Sequence, residues 1–238
     1  MNNKYKRLAA MSALPLMLLF LSAVALTFQN CKGKSKSDNL SAVTDSLSDD
    51  ALMDTVQRRT FLYFWEGAEP NSGLAPERYH VDGVYPQDDA NVVTSGGSGF
   101  GIMAILAGID RGYVTREEGL ARMERIVSFL EKADRFHGAY PHWWYGDTGK
   151  VKPFGQKDNG GDLVETAFLI QGLLAVHQYY ADGNEKEKAL AQRIDQIWRD
   201  VDWNWYRKGG QNVLYWHWSP TYGWEMNFPV HGTCRRLS

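Results

Sequence analysis

Two segments of this chain are apolar on nearly every face of a helix, and each is followed by one that is apolar on a single face. GFGIMAILAGIDRG is uncharged until Asp110, and DLVETAFLIQGLLAVHQYY carries one charged residue, Glu165, after its opening Asp162. A helix that is apolar all round has to be covered on most sides. Between these two lies a segment opening at Thr115-Arg-Glu-Glu118, which has capping-box spacing, with Leu120, Met123, Val127 and Leu130 at three/four intervals. After the second comes EKEKALAQRIDQIWRDVDWNWY, amphipathic through Leu190, Ile194, Ile197, Val201 and Trp205, with Trp198 and Trp205 assigned to packing. The order is inner helix, outer helix, inner helix, outer helix. An earlier segment, DDALMDTVQRRTFLYFWEGA, sets Leu52, Val56 and Phe64 on one stripe, joined by Met53 and Leu62.

A loose repeat supports this reading. GSGFGIMAIL near Ser98 and GDLVETAFLIQG near Asp162 both follow a Gly-rich approach, about 64 residues apart. Another step of that size lands near Phe228, in GWEMNFPVHG, where a further inner helix is expected; the chain continues instead as TCRRLS. The expectation is an all-α fold, part of an α/α toroid with about half of its helical hairpins present. Strand signals are few: VYPQDDANVV and NVLYWHWSP read as short strands or hairpins decorating the loops.

The N-terminal 31 residues read as an export segment. MNNKYKR is positively charged and the uncharged run LAAMSALPLMLLFLSAVALTF follows it. Cys31 stands where a bacterial lipoprotein signal carries its lipidated cysteine, although Phe28, Gln29 and Asn30 depart from the usual small residues; a plain signal peptide or an uncleaved anchor are the alternatives. A membrane partner is therefore expected only through this lipid or anchor. Residues 32–48 are polar and aperiodic and read as a tether, residues 49–232 as the folded domain, and 233–238 as an atypical tail. Cys234 is the one other cysteine, so no disulfide framework and no zinc-type spacing arises. A net charge of −2 without a basic stripe argues against nucleic acid as a partner.

Nine Trp and twelve Tyr exceed what one core of this size requires, and many fall in three long loops. Asp88 and Asp89 lie in the first, Trp143, Trp144, Asp158 and Asp162 in the second, and Trp216, His217, Trp218, Trp224 and Glu225 in the third. Sugar rings offer C–H faces to indoles and hydroxyls to carboxylates, so the mixture suits an oligo- or polysaccharide cleft. Long loops of this kind are usually functional when ordered. Glycoside hydrolysis needs two carboxylates flanking the scissile bond. Glu165, one turn into an inner helix, is a candidate proton donor, because burial raises a carboxyl pKa. The competing reading is structural: Asp162-x-x-Glu165 has capping-box spacing, and Glu165 then closes onto the Asp162 N–H. Spacing alone favours the cap. Asp88 and Asp89 are the partners considered, each also a natural turn residue, and Trp143-Trp144 also reads as aromatic core beneath a loop. His217, between two Trp, reads as a sugar hydrogen-bonder rather than a metal ligand, and no metal or cofactor site is expected.

Competing motifs are weak. GGSGF has Phe where the last Gly of a nucleophile elbow belongs, and GFGIMA lacks the strand–helix–strand context of a dinucleotide fingerprint.

RRTFLYFWEGAEPNSGLAPER, GGSGFGIMAILAGIDRGY, FHGAYPHWWYGDTGK, GGDLVETAFLIQGLL and YGWEMNFPVHG together resemble the glucoamylase-like domain of glycoside hydrolase family 144, whose characterised members are β-1,2-glucanases. The resemblance spans roughly residues 49–232. It implies an (α/α)6 toroid, inverting hydrolysis of β-1,2-glucan without a cofactor, and a periplasmic or outer-membrane lipoprotein location. It places Glu165 on the family's acidic position in the cleft and, beside Asp88, Asp89 on the second. It puts residues of the HWWYGDTGK and YWHWSP loops in the sugar subsites. Family members continue past the FPVHG-like motif with further helices, so TCRRLS reads as a C-terminal truncation. Exposed inner faces, at about 25 cal/mol per Å² of apolar surface, then predict poor stability and little or no activity. A glycan-binding surface lipoprotein that uses the tryptophan loops without catalysis is the alternative function.

Overall fold

The computed structural model describes residues 47–231, and the described residues fall into two units dividing after Met53. The proposed signal, Cys31, most of the tether and the 233–238 tail lie outside the described residues. Among the described residues are five α-helices: α1 (Asp49–Trp65), α2 (Ser95–Asp110), α3 (Arg116–Leu130), α4 (Leu163–Tyr180) and α5 (Glu185–Arg199). Six short strands accompany them: β1 (Val92–Thr94), β2 (Trp143–Tyr145), β3 (Gly161–Asp162), β4 (Leu214–Tyr215), β5 (His217–Trp218) and β6 (Pro229–Val230). They form three antiparallel pairs, β1 with β2, β3 with β5, and β4 with β6. No described helix is long and apolar enough to cross a membrane.

The two helices expected to be inner, α2 and α4, pack directly on each other, while α3 and α5 cover their outer side and touch one another. One core joins all four, with Ile102 and Ile105 from α2, Met123, Ile126 and Leu130 from α3, Leu169, Leu173 and Val176 from α4, and Leu190 and Ile194 from α5. The α2–α4 contact is a backbone approach that only glycine permits. A Cβ on Gly99 would lie 2.2 Å from the Phe168 carbonyl oxygen, and one on Gly172 would lie 2.4 Å from the Gly99 carbonyl oxygen. Gly99 of GGSGFG thus serves helix packing, and α2 begins at Ser95, four residues earlier than the apolar run indicates. Phe100 of α2 and Phe168 of α4 are exposed, their rings 5.5 Å apart, and Leu174 is exposed as well.

The capping box at Thr115 forms as expected: its hydroxyl accepts from the Glu118 N–H and the Glu118 carboxylate accepts from the Thr115 N–H. A second box, Asn184 with Glu187, opens α5. The stripe expected on α1 packs inward only at its C-terminal end, where Leu62 and Phe64 are half-buried. Leu52, Met53 and Val56 are exposed, and the buried residue is Phe61. Gly101 and Gly108 on α2 leave notches filled by the rings of Phe64 and Phe61, so glycine spacing on the neighbour selects the buried face. Helix α5 stops at Arg199, and Trp205 lies in a 3-10 turn (Trp205–Arg207), 37% exposed and stacked at 3.6 Å on His137 rather than packed in the core.

Candidate active site

Helices α2 and α4 start at the same place, because the strands that precede them are tied to shared loops. The β1–β2 pair sets Thr94 opposite Trp143, and the Ser95 N–H that opens α2 donates to the His142 carbonyl at 3.0 Å. The β3–β5 pair sets Asp162 opposite His217, and the Leu163 N–H that opens α4 donates to the Trp216 carbonyl at 2.7 Å. Two helix N-termini therefore meet a ring of aromatic and ionisable side chains.

Asp162 is the N-cap of α4: its Oδ1 accepts from the Glu165 N–H at 2.9 Å. The reciprocal half of a capping box is absent. The Asp162 N–H donates instead to the Tyr140 carbonyl at 2.8 Å, which leaves the Glu165 carboxylate free of that duty. Glu165 reaches across to α2, where its Oε2 accepts from the Gly96 N–H at 3.0 Å. Oε1 makes no hydrogen bond among the described residues.

His142 lies between the two acids. Its Nδ1 is 3.4 Å from Asp162 Oδ2 and its Nε2 is 3.7 Å from Glu165 Oε2. The ring stacks on Trp143 at 3.6 Å, and the Trp143 Nε1–H donates to Glu77 at 2.6 Å. Trp216, 40% exposed, donates its Nε1–H to Asp162 Oδ2 at 2.8 Å. Asp158 sits 3.7 Å from His217 Nε2.

The electrostatics follow from this crowding. Burial lifts the Glu165 carboxyl above its ordinary range, with Asp162 and Glu77 adding, while His142 and the Gly96 N–H oppose. Asp158 is pushed up to about 6, chiefly by burial and further by Asp162, against the pull of His142. For His142, burial works against the imidazolium, but Asp162, Glu165 and Asp158 outweigh it and raise the pKa. His217 moves the other way, lowered by burial and by His142. Two carboxyls whose hold on a proton is strengthened by burial, beside an imidazole that favours its charged form, make a site suited to moving protons.

Several expected site residues sit elsewhere. Asp89 is sealed, with no side-chain exposure, 3.4 Å from Arg78 Nε and 4.0 Å from His80 Nε2, and neither of its oxygens accepts a hydrogen bond from the protein. No described contact joins it to Glu165. Asp88 is exposed in a turn with φ 54°, its N–H donating to the Tyr85 carbonyl. Trp144 is fully buried, edge-on to Phe129 and Tyr140, as in the aromatic-core reading of the doublet, because the period of strand β2 turns Trp143 toward His142 and Trp144 into the core. His217 is also buried, so it meets the site through Asp158 rather than by presenting its ring to a ligand. Trp218 packs edge-on against His137 and Trp205, Trp224 against Tyr206 and Tyr215, and the exposed Glu225 pairs with Lys157 at 2.9 Å. Among the described residues no His/Cys/Asp/Glu group has the arrangement of a metal site. Glu77 and Gly96 were not singled out by the sequence, and no local pattern marks them, whereas His142 opens the aromatic HWWYGDTGK run beside Trp143.

No family model matches the chain. Among curated proteins it is 52% identical over 198 residues to the exo β-1,2-glucooligosaccharide sophorohydrolase (non-reducing end) of Parabacteroides distasonis, a match covering 82% of this chain and 26% of that protein. Among solved structures it is similar to the endo-β-1,2-glucanase of Chitinophaga pinensis in complex with sophorotriose and glucose, at 71% identity and a TM-score of 0.77, covering 79% of this chain and 44% of that one. It is also similar to a presumed glucoamylase of Bacteroides caccae, at 94% identity and a TM-score of 0.76, covering 78% of this chain and 45% of that one. The chain thus spans about a quarter of the curated relative and less than half of these solved structures.

Proposed function

We propose, on the premise that about four fifths of this chain is homologous to β-1,2-glucanases and presumed glucoamylases, that it carries the acid-donating part of a glycoside hydrolase site acting on β-glucan, β-1,2-linked chains in particular. The observation that supports this most is the release of Glu165 from the cap. A glutamate serving only to close the helix would bond to the Asp162 N–H, whereas Glu165 is held by Gly96 with Oε1 left open and its proton affinity raised by burial. Glu165 is then the general acid. It protonates the glycosidic oxygen as the bond to the anomeric carbon breaks, while a second carboxylate takes the proton of the attacking water. We assign inverting stereochemistry and an (α/α)6 toroid, with α2 and α4 as two of its inner helices; the backbone contact of these helices and the outer position of α3 and α5 support that architecture.

Asp158 is the proposed second carboxylate, favoured by its partial exposure and its raised pKa beside His217 and His142. Asp89, the partner that the resemblance implies, is sealed against Arg78 and His80 and could take the proton of water only if that loop opened. Trp143 and Trp216 supply the indole faces for sugar rings. Export as a periplasmic or outer-membrane lipoprotein through Cys31 is proposed from the N-terminal sequence.

The test is release of reducing ends from linear β-1,2-glucan by the purified chain and by Glu165→Gln, with binding measured in parallel by calorimetry. The reading expects slow hydrolysis by the chain, at least about a hundredfold less by the variant, and similar binding by both. Binding without hydrolysis by either protein would overturn it in favour of a glycan-binding protein.

A further inference from the structure

We propose that His142 is a positioning residue for Glu165, orienting its carboxyl so that Oε2 faces the protein and Oε1 faces substrate, and coupling the charge of the two side chains. The inference rests on the reading of Glu165 as proton donor.

His142 is held at three points, one on its backbone and two on its ring. Its backbone carbonyl accepts from the Ser95 N–H at 3.0 Å and the Ser95 hydroxyl at 3.2 Å, which ties it to the same first turn of α2 that binds Glu165. Trp143 stacks on one ring face with an interplanar angle of 12°. Asp162 faces Nδ1, and Asp162 is itself held by the Glu165 N–H on Oδ1 and by Trp216 on Oδ2. With Nδ1 turned to Asp162, Nε2 points to Glu165 Oε2, the oxygen that also accepts from Gly96. Both protein contacts therefore converge on one oxygen and leave the other for chemistry.

The consequence for catalysis is a matter of charge. When Glu165 gives its proton to the leaving oxygen, the carboxylate that remains faces an imidazolium 3.7 Å away, whose attraction favours the transfer. The proton is restored to Glu165 from solvent before the next turnover. Other groups act on the pair: Asp158 bears on His142, Asp162 on both residues and Glu77 on Glu165, while His142 in turn bears on His217. The two residues consequently titrate as a coupled pair, and each shifts the other in the opposite direction.

The experiment has two arms. The first follows the His142 Cε1–H resonance by NMR against pH in the chain and in Glu165→Gln. Gln retains an oxygen for the Gly96 N–H and removes the charge, so the His142 midpoint should fall; an unchanged midpoint overturns the proposal. This arm needs no substrate and stands even if Glu165 is not the proton donor. The second arm is the pH dependence of β-1,2-glucan hydrolysis by His142→Gln. Loss of the imidazolium should carry the basic limb of kcat/KM to higher pH while KM changes little. A rate lowered equally at every pH, with the limb unmoved, would mean a merely structural role and overturn it.

Discussion

Gly96→Ala separates the chemistry of the site from its stability. A Cβ built on Gly96 lies 2.2 Å from Glu165 Oε2 and 2.9 Å from its Cδ, where an ordinary contact begins near 3.4 Å. The carboxyl must retreat by about 1 Å, which stretches the 3.0 Å bond from the Gly96 N–H beyond hydrogen-bond range. A hydrogen bond to a charged group contributes about 1.5–3 kcal/mol, equivalent to about ten- to 150-fold in rate if its whole value lies in placing the carboxyl. A misplacement of about 1 Å leads independently to about 10²-fold. Stability should move the other way or not at all. Gly96 lies in the first turn of α2 with no positive φ, and alanine is favoured over glycine in a helix interior by about 1 kcal/mol, less at an end. Because the Gly96 N–H favours the ionised carboxylate, its loss raises the Glu165 pKa, and the basic limb of the rate profile should rise with it. The assay is reducing-end release from β-1,2-glucan between pH 4 and 8 beside a thermal melt. A variant that keeps both its rate and its basic limb would refute the claim that Gly96 holds the acid in place.

Other perturbations have equally definite outcomes. Asp158, whose carboxyl moves from 3.8 to about 6 on folding, makes the protein less stable as pH rises from about 4 to about 6, since the unfolded chain ionises first; thermal melts should fall over that window and flatten in Asp158→Asn. Trp216→Ala should weaken binding of β-1,2-glucooligosaccharides in calorimetry while shifting the melt only slightly, because the ring is 40% exposed. Trp144→Ala removes a fully buried indole from the core and should cost about 3–5 kcal/mol in a denaturant titration, without a selective effect on binding.

The helices were legible where a local rule fixes them. Thr115 and Glu118 are three residues apart and cap one turn, and the apolar spacing from Leu120 to Leu130 is the face that α3 buries. Legibility failed where the deciding partner is distant in sequence. The buried face of α1 is chosen by Gly101 and Gly108, some forty residues on, and not by the richer stripe of Leu52 and Val56. Glu165 reads as a cap because Asp162 is three residues away, yet its carboxylate goes to Gly96, 69 residues away. His142 shows no periodicity or motif, because its role is created by two strand pairs that bring the starts of α2 and α4 together. The Trp143-Trp144 doublet does not say which ring packs inward; strand alternation buries Trp144 and turns Trp143 toward His142.

The central claim, that Glu165 is the proton donor, is tested most directly by varying the leaving group. Glu165→Gln should lose about 10²–10⁴ in turnover on β-1,2-glucan, the range for general acid catalysis. On an aryl β-glucoside or sophoroside whose phenolate departs without a proton, the same variant should lose far less. Equal losses on both substrates would contradict the account and return Glu165 to a structural role.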